Sequence, residues 1–563
     1  MSEQLSIQVT GDLQTQLSVD RVVAQLLKQR QINTYSEAKS FFRPDLQQLH
    51  DPFLMKGMQK AIERIQAAIL KNESVMIFGD YDVDGTTAVS IVYSFFKQHV
   101  KKISYYIPDR YKEGYGISFM GIDYAKQNNI SLIIALDCGI KANDKIEYAN
   151  KYGIDFIICD HHLPGNILPK ACSILDQKQL DCNYPYKELS GAGIGFKLIQ
   201  AYSISEGLKP EECYQYLDLV ATSIAADVVP ITGENRIMAH FGLEIINNSP
   251  RPGIKALLNL NEQKNPVNIS TLVFTLAPRI NAAGRIEHGS KSVELLSCED
   301  DSLAFEYAKA INETNTQRKD IDSETTLEAY DILEKDPLSL LKKTTVLFNT
   351  NWHKGIVGIV ASRLIEKYYR PTIVLTESDG KISGSARSVK DFDVYSAIEK
   401  CSDLLEQFGG HKYAAGLTLS KENIEPFKIK FEHVVSESIT EEQLIPKIEI
   451  DTEIEFHEIN DKLLRIIKQF APHGPENMTP VLLSKQVYET GWGKVFGKNH
   501  LKLELFQKSN PNIRFNAIAY SKGDFIHFFQ RKVPMDIVFK IQENEFKGIK
   551  TIQLVVEDFK VSN

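Results

Sequence analysis

No run of eighteen apolar residues occurs in the 563-residue sequence, so no membrane-spanning helix is expected. Cysteine is scarce and unpaired. The seven residues at 138, 159, 172, 182, 213, 298 and 401 form no CxxC pair and are odd in number. That pattern favours neither a disulfide framework nor a zinc knuckle, and a reducing cytoplasm is the expected compartment. The opening stretch MSEQLSIQVTGDLQTQ lacks a basic n-region and an apolar core, so no secretory leader is expected. Internal repeats and low-complexity tracts are missing too. Positive charge is in deficit, with 65 Lys+Arg against 73 Asp+Glu and a net charge of −8. This argues against uniform coating of nucleic acid but leaves room for a local basic surface. From Val481 onward the balance reverses, to 13 Lys+Arg against 8 Asp+Glu, which makes the tail electrostatically distinct.

What is present is ordinary globular material, 43% hydrophobic and 25% charged. The length implies roughly three or four domains. The most informative stretch is Val75 to Ala88, VMIFGDYDVDGTTA. Val75 to Phe78 reads as a short buried strand ended by Gly79. Asp80, Asp82 and Asp84 follow at alternate positions, then Gly85 for a tight turn and Thr86 and Thr87 as candidate caps of a helix. Ionised carboxylates crowded at the mouth of a strand repel one another unless something compensates. A hard divalent cation with oxygen ligands, magnesium or manganese, is the usual compensation; the alternative is a solvated acidic turn.

Residues 1–50 read as a helical segment, and Met58 to Leu70 as an amphipathic helix with apolar Met58, Ala61, Ile62, Ile65 and Ile69. To about residue 200 strands and helices alternate, which implies a mostly parallel sheet wrapped by helices, with ligands collecting at the carboxyl ends of its strands. Acidic residues sit at those ends. Leu132 to Leu136 runs into Asp137-Cys138-Gly139, and Phe156 to Cys159 into Asp160-His161-His162. Asp227 closes the apolar segment LDLVATSIAADVVP. Any one of these is equally well a helix cap or a packed histidine; four in one α/β region point to a shared rim. Ser290 to Asp336 holds no glycine or proline and suits a long helix bridging two lobes, stopped by Pro337. A second α/β unit follows, with strands near 345–348 and 372–375, and then a small all-β domain.

GDYDVDG, LDCGI, DHH and AADVVP, in this order, resemble the four motifs of the DHH phosphoesterase superfamily. PDRYKEGYGIS (108–118), FTLAPRINAAGRIEH (274–288), WHKGIVGIVASR (352–363), GSARS (384–388) and FGGHKYAAG (408–416) narrow the resemblance to the RecJ-type single-stranded-DNA-specific exonucleases. It runs from about residue 40 to the C-terminus. One departure is DQKQ at 176–179, where the family has Asn-Pro; a turn is affected and the metal set is not. The resemblance implies an α/β fold: a parallel-sheet DHH domain (51–290), a connecting helical region (291–342), a second α/β DHHA1 domain (343–440) and a small β-barrel of oligonucleotide-binding (OB) type (441–563).

By the same resemblance Asp137 bridges two divalent ions, Mn2+ or Mg2+. Asp80 and Asp82 bind one, and Asp84, His161 and Asp227 the other. Asp160 orients an imidazole, and His162 faces the scissile phosphate. Arg279 is the expected contact on the cleaved nucleotide. Ser385 and Arg387 resemble a pocket for the 5′-terminal phosphate. Gly409, Gly410 and His411 offer close approach to the strand, or are simply a turn. Tyr115 is placed to stack on a base or to pack a rim, and Arg110 and Lys112 to touch phosphates or solvent. On the barrel, Trp492, Lys494, Phe496, Lys498 and Lys502 would carry the trailing strand or form ordinary surface. The expectation is a monomeric 5′→3′ exonuclease on single-stranded DNA in recombination and repair, partnered by a single-strand-binding protein and a helicase. Two rivals are a DHH-type phosphodiesterase on nano-RNA, cyclic dinucleotides or pyrophosphate, and a non-catalytic replication scaffold.

Overall fold

The computed structural model describes residues 13–263, 266–378, 380–531 and 533–562; the first twelve residues of the expected N-terminal segment lie outside the described residues. Three sheets organise the chain. The first contains β1 (Ser74–Gly79), β2 (Lys102–Tyr106), β3 (Leu132–Leu136), β4 (Asp155–Cys159) and β5 (Ser173–Leu175), all parallel, in the order β2-β1-β3-β4-β5. Every residue of β3 is buried, as are all but the first residues of β1 and β4. Continuous apolar runs of this kind suit strands covered by helices on both faces. The covering helices include α1 (Met58–Leu70), α2 (Val83–Phe96), α3 (Gly191–Glu206), α4 (Leu217–Ala226) and α5 (Gly233–Asn248).

Two local expectations are corrected. The helix after β1 starts at Val83, not at the threonines: Asp82 is its N-cap and accepts from the Gly85 N–H at 3.0 Å. Thr86 and Thr87 lie one turn inside, their hydroxyls bonded back to the carbonyls of Asp82 and Val83. The second correction concerns Asp227, which ends the helix α4 and not a strand. Residues 217–225 are all buried, so the segment is apolar all round and shows no amphipathic period to distinguish helix from strand.

Beyond α6 (Ala277–Ile286), the expected long helix is interrupted once. A short helix Ser290–Leu296 ends at Ser297, and α7 (Asp301–Lys335) restarts with Asp300 as N-cap accepting from Leu303 N–H at 2.8 Å. The polar middle of α7 is not solvated: Thr314, Asn315, Arg318, Asp322, Thr325 and Thr326 are buried. Asp322 anchors the second lobe through Arg363 of α8 (Val357–Tyr368), at 2.8 Å. That lobe carries β6 (Thr345–Phe348), β7 (Thr372–Ser378), β8 (Lys381–Arg387), β9 (Gln407–His411) and β10 (Ala414–Leu419), in the order β6-β7-β8-β10-β9. Only β6 and β7 pair in parallel.

The last sheet comprises β11 (Thr452–Glu453), β12 (Leu482–Glu489), β13 (Lys494–Phe496), β14 (His500–Gln507), β15 (Asn510–Ala519), β16 (Met535–Phe546) and β17 (Ile549–Val561). Pairing of β12 with both β16 and β14 closes it into a five-stranded barrel. Its core is shared with the N-terminus. Val22, Val23, Leu26 and Leu27 of the helix Arg21–Gln29 pack with α9 (Asp461–Gln469) and barrel residues such as Leu482 and Phe539. The helices Arg21–Gln29 and Tyr35–Phe42 therefore belong to the barrel unit, while Leu46 and Leu49 already pack on the first lobe.

Arg236 of α5 fastens that unit to the first lobe. It is 4% exposed, lies over the Phe41 ring at 3.8 Å, and donates to the carbonyls of Phe41, Gln469, Phe470, Ala471 and Pro472. No carboxylate is among these partners, and burial pushes its pKa down to about 9. Arg236→Ala leaves buried carbonyls without donors, so it should cost roughly 2–4 kcal/mol. A calorimetric scan should show a lower melting transition; an unchanged one would remove Arg236 from this role.

Candidate metal centre

The carboxyl ends of β1, β3 and β4 lie side by side, and each delivers an acid. Asp80 follows β1, Asp137 follows β3, and Asp160 with His161 follows β4. The ladder runs one residue past the strands: Asp137 N–H donates to Cys159 O at 2.8 Å, and Asp160 N–H to Leu175 O at 3.0 Å. Asp137 then turns into the left-handed region (φ 57°), a strained conformation for a residue with a side chain. Gly191 makes room for it, because a Cβ there would lie 2.6 Å from the Asp137 Cβ.

Ligand atoms gather in three overlapping groups: Asp80 with Asp82 and Asp137, Asp84 with His161 and Asp227, and Asp137 with His161 and His162. His161 Nε2 joins them, 3.2 Å from Asp137 Oδ1, 3.6 Å from Asp227 Oδ2 and 3.7 Å from Asp84 Oδ2. Burial, and then the neighbouring acids, push the Asp80, Asp82, Asp137 and Asp227 carboxyls up. Asp80 Oδ2 and Asp137 Oδ1 are buried without a hydrogen-bond partner among the described residues. Buried polar atoms without partners are rare in folded proteins and call for an explanation. Oxygen-rich groups with one imidazole, and acceptors left open toward each other, fit divalent Mn2+ or Mg2+. Asp84 has the least freedom, since it accepts from the Gly191 and Ala192 N–H groups at the start of α3 and from Ser223 Oγ, at 2.7–2.8 Å.

Asp160 is turned away from the ligand groups. It accepts from the backbone N–H of Ile140, His161 and His162, and from His162 Nδ1 at 2.8 Å. Burial acts to raise the Asp160 carboxyl, but His162 and the backbone donors hold it below the usual range. Burial likewise opposes the charged His162, and Asp160 outweighs it, so the imidazole titrates above its ordinary value. The outer nitrogen of His162 meets the hydroxyl of Tyr115 at 3.3 Å, and that hydroxyl also donates to Asp137 O at 3.0 Å. Tyr115 thus braces the centre while its ring stays half exposed.

Across from these groups the second lobe contributes a basic wall. Arg387 donates to Ser385 Oγ at 2.9 Å and is held below its ordinary pKa by burial and by Arg110. Arg110 lies over the Tyr81 ring at 4.8 Å. Burial, then Arg387 and His162, lower the His411 imidazole, which ties the β9–β10 hairpin to both the basic wall and the metal side. Gly410 has its own reason within the hairpin: φ is 146° and a Cβ would meet Ala414 O at 2.4 Å. Gly409 has nothing within 4 Å of a Cβ, and Lys112 is exposed.

Arg279, the expected contact on the cleaved nucleotide, is engaged by neighbouring residues in this structure. Its guanidinium already bonds Thr275 O, Asn261 Oδ1 and Asn312 Oδ1, all in its own lobe. The arginine facing the basic wall is Arg285, which donates to Gly355 O at 3.1 Å across the lobes. Burial first, then Arg110, Arg387 and Arg318, pushes it down to about 10. Both arginines occur in APRINAAGR; six helical residues place them about 120° apart around α6. Arg318, in the buried stretch of α7, had no visible signal at the level of sequence. On the barrel, Lys494 and Lys502 lie 4.8 Å and 5.6 Å from the half-exposed Trp492 ring; Lys498 is exposed, and Phe496 packs on His500 at 5.5 Å.

Loss of an outer partner of a metal site typically costs 10–100-fold in affinity, so Asp137→Ala should lower Mn2+ affinity by about 100-fold or more. Calorimetric titration of parent and variant measures this; equal affinities would exclude Asp137 as a shared ligand.

Three family profiles match the chain: the DHH family, N-terminal domain, over residues 74–224, the DHHA1 domain over 341–437, and the RecJ OB domain over 450–558. The single-stranded-DNA-specific exonuclease RecJ of Bacillus subtilis is 36% identical over 554 residues, covering 98% of this chain and 69% of the relative. The RecJ of Escherichia coli is 31% identical over 523 residues, covering 90% of each. The crystal structure of RecJ from Thermus thermophilus in complex with Mn2+ shares the fold, with a TM-score of 0.84 over 99% of this chain and 78% of that one, at 23% identity. With the three domain profiles in this order and relatives 31–36% identical along nearly all of the chain, the chain belongs to the RecJ family of single-stranded-DNA-specific exonucleases.

Proposed function

We propose that the protein degrades single-stranded DNA from its 5′ end, releasing mononucleotides by hydrolysis at the cleft between the two α/β lobes. The observation that carries this reading is the pairing of a buried carboxylate–histidine centre with a wall of arginines that has no ion-paired acid among the described residues. Burial first, and then the neighbouring Arg110 charge, lower both Arg285 and Arg387, and an anion between these groups relieves that repulsion. Arg387 with Ser385 suits a terminal phosphate, because a guanidinium fork donates to two oxygens at once. A pocket closed beyond that phosphate fixes which end enters.

Asp80, Asp82 and Asp137 would hold one divalent ion, and Asp84, His161 and Asp227 the other, with Asp137 shared. Bound there, such ions neutralise charge on the scissile phosphate and activate water. His162, kept protonated more readily by Asp160, donates a hydrogen bond or a proton at the phosphate oxygen; Tyr115 holds the ring in place. The cleft width selects single strands, and the Trp492–Lys494–Lys502 face of the barrel stacks and neutralises the trailing strand. The reading extends to a monomer acting in the cytoplasm, with a single-strand-binding protein and a helicase as partners in recombination and repair.

Digestion of end-labelled single and double strands, with and without Mn2+, tests the whole. A 5′ label should leave first, as a mononucleotide and only from single strands; preference for a dinucleotide substrate would favour the small-substrate phosphodiesterases instead. Arg387→Ala should reduce the preference for a 5′-phosphate over a 5′-hydroxyl by about tenfold or more, on the scale of one lost charge-assisted contact. If that preference is unchanged, the pocket lies elsewhere.

A further inference from the structure

The turn after β5 brings a cation to the metal centre that the mechanism above does not use. Strands β4 and β5 pair in parallel with Cys159 opposite Leu175, and the Asp160 N–H bond to Leu175 O carries the register one step further. Residues 176–178 therefore leave the sheet beside the end of β4, where Asp160, His161 and His162 follow. Asp176 is fully buried and accepts the Lys178 N–H at 2.7 Å, which bends the chain at that point. Gln177 is also fully buried and braces the turn through the carbonyls of Lys187 and Leu189. Lys178 is left on the open side, half-buried, with no carboxylate at ion-pair distance among the described residues. The sheet order β2-β1-β3-β4-β5 puts this turn at the β5 edge of the acidic rim, next to the end of β4 that carries Asp160 and His161.

The other cations sit at the opposite end. Arg110 follows β2, at the edge of the sheet opposite β5, and Tyr111 beside it donates to Arg285 O. A strand crossing the centre thus meets arginines before the Asp80–Asp82 group and a lysine after the His161–Asp227 group. We propose that Lys178 grips a backbone phosphate of the incoming strand on the far side of the metal centre from the arginine pocket. This rests on the single-strand reading above. A point charge on a flexible stem suits that place, where successive phosphates must bind and move on, better than a rigid fork.

The test is binding of a fluorescent 5′-phosphorylated oligothymidylate by the full chain, followed by anisotropy over a range of KCl with metal chelated so that no strand is cut. Lys178→Gln should weaken binding about fivefold and lower the slope of log affinity against log salt by about 0.7, the value for one phosphate on a single strand. Lys178→Arg should keep both. A parent that binds with Lys178→Gln showing the same slope would overturn the proposal, whatever happens to Mn2+ affinity, because the lysine would then only offset the carboxylates. Failure of the parent itself to bind the strand would overturn the single-strand reading and this one with it. Equal thermal midpoints of parent and both variants exclude a folding defect as the cause.

Discussion

Mutual repulsion among buried carboxylates is the constraint to which the rest of this structure answers. Two unit charges about 4 Å apart at an effective dielectric near 20 interact by about 4 kcal/mol, a large share of the roughly 5–15 kcal/mol that stabilises a domain. Asp80, Asp82, Asp84, Asp137 and Asp227 share one small volume, and four of them are pushed toward the neutral form. A chain holding them together without a compensating charge would be destabilised by its own active residues. Divalent cations held by these residues would convert that repulsion into attraction.

The second lobe carries the complementary problem with the opposite sign. Burial and the nearby Arg110 charge lower Arg387 of this lobe and Arg285 of the first, and neither has a carboxylate at ion-pair distance among the described residues. Two like-charged clusters facing each other across a cleft define a place for a molecule that is anionic throughout and binds metal on one side. The long helix α7 keeps the clusters in fixed relation, because its buried Asp322 pairs with Arg363 of the second lobe. Selectivity and chemistry thus share one geometric requirement.

Much of this was legible in the sequence, for identifiable reasons. A short apolar run followed by Asp is a visible sign of a strand end in an α/β sheet, so Asp80, Asp137 and Asp160 declared themselves. The segment ending in Asp227 was found for its acid but misjudged in form, because a helix buried on every side loses its period. Arg279 and Arg285 could not be separated, since the face that α6 turns to the second lobe is a property of packing between distant segments. The segment near the N-terminus reads as helical but carries nothing that names its partner, and Lys178 sits in a turn whose place only the sheet reveals.

That partner has a consequence for how the chain is made. Val22, Val23 and Leu26 bury their side chains against Leu482 and Phe539, which a ribosome adds more than four hundred residues later. At about 5–20 residues per second this delay is roughly 20–90 s. During that interval the earliest helices present a greasy face with no lawful neighbour, while the parallel sheet between them is already closing. Contacts so far apart along the polypeptide form last, and a nascent chain of this design depends on a chaperone or on its own patience until the barrel arrives.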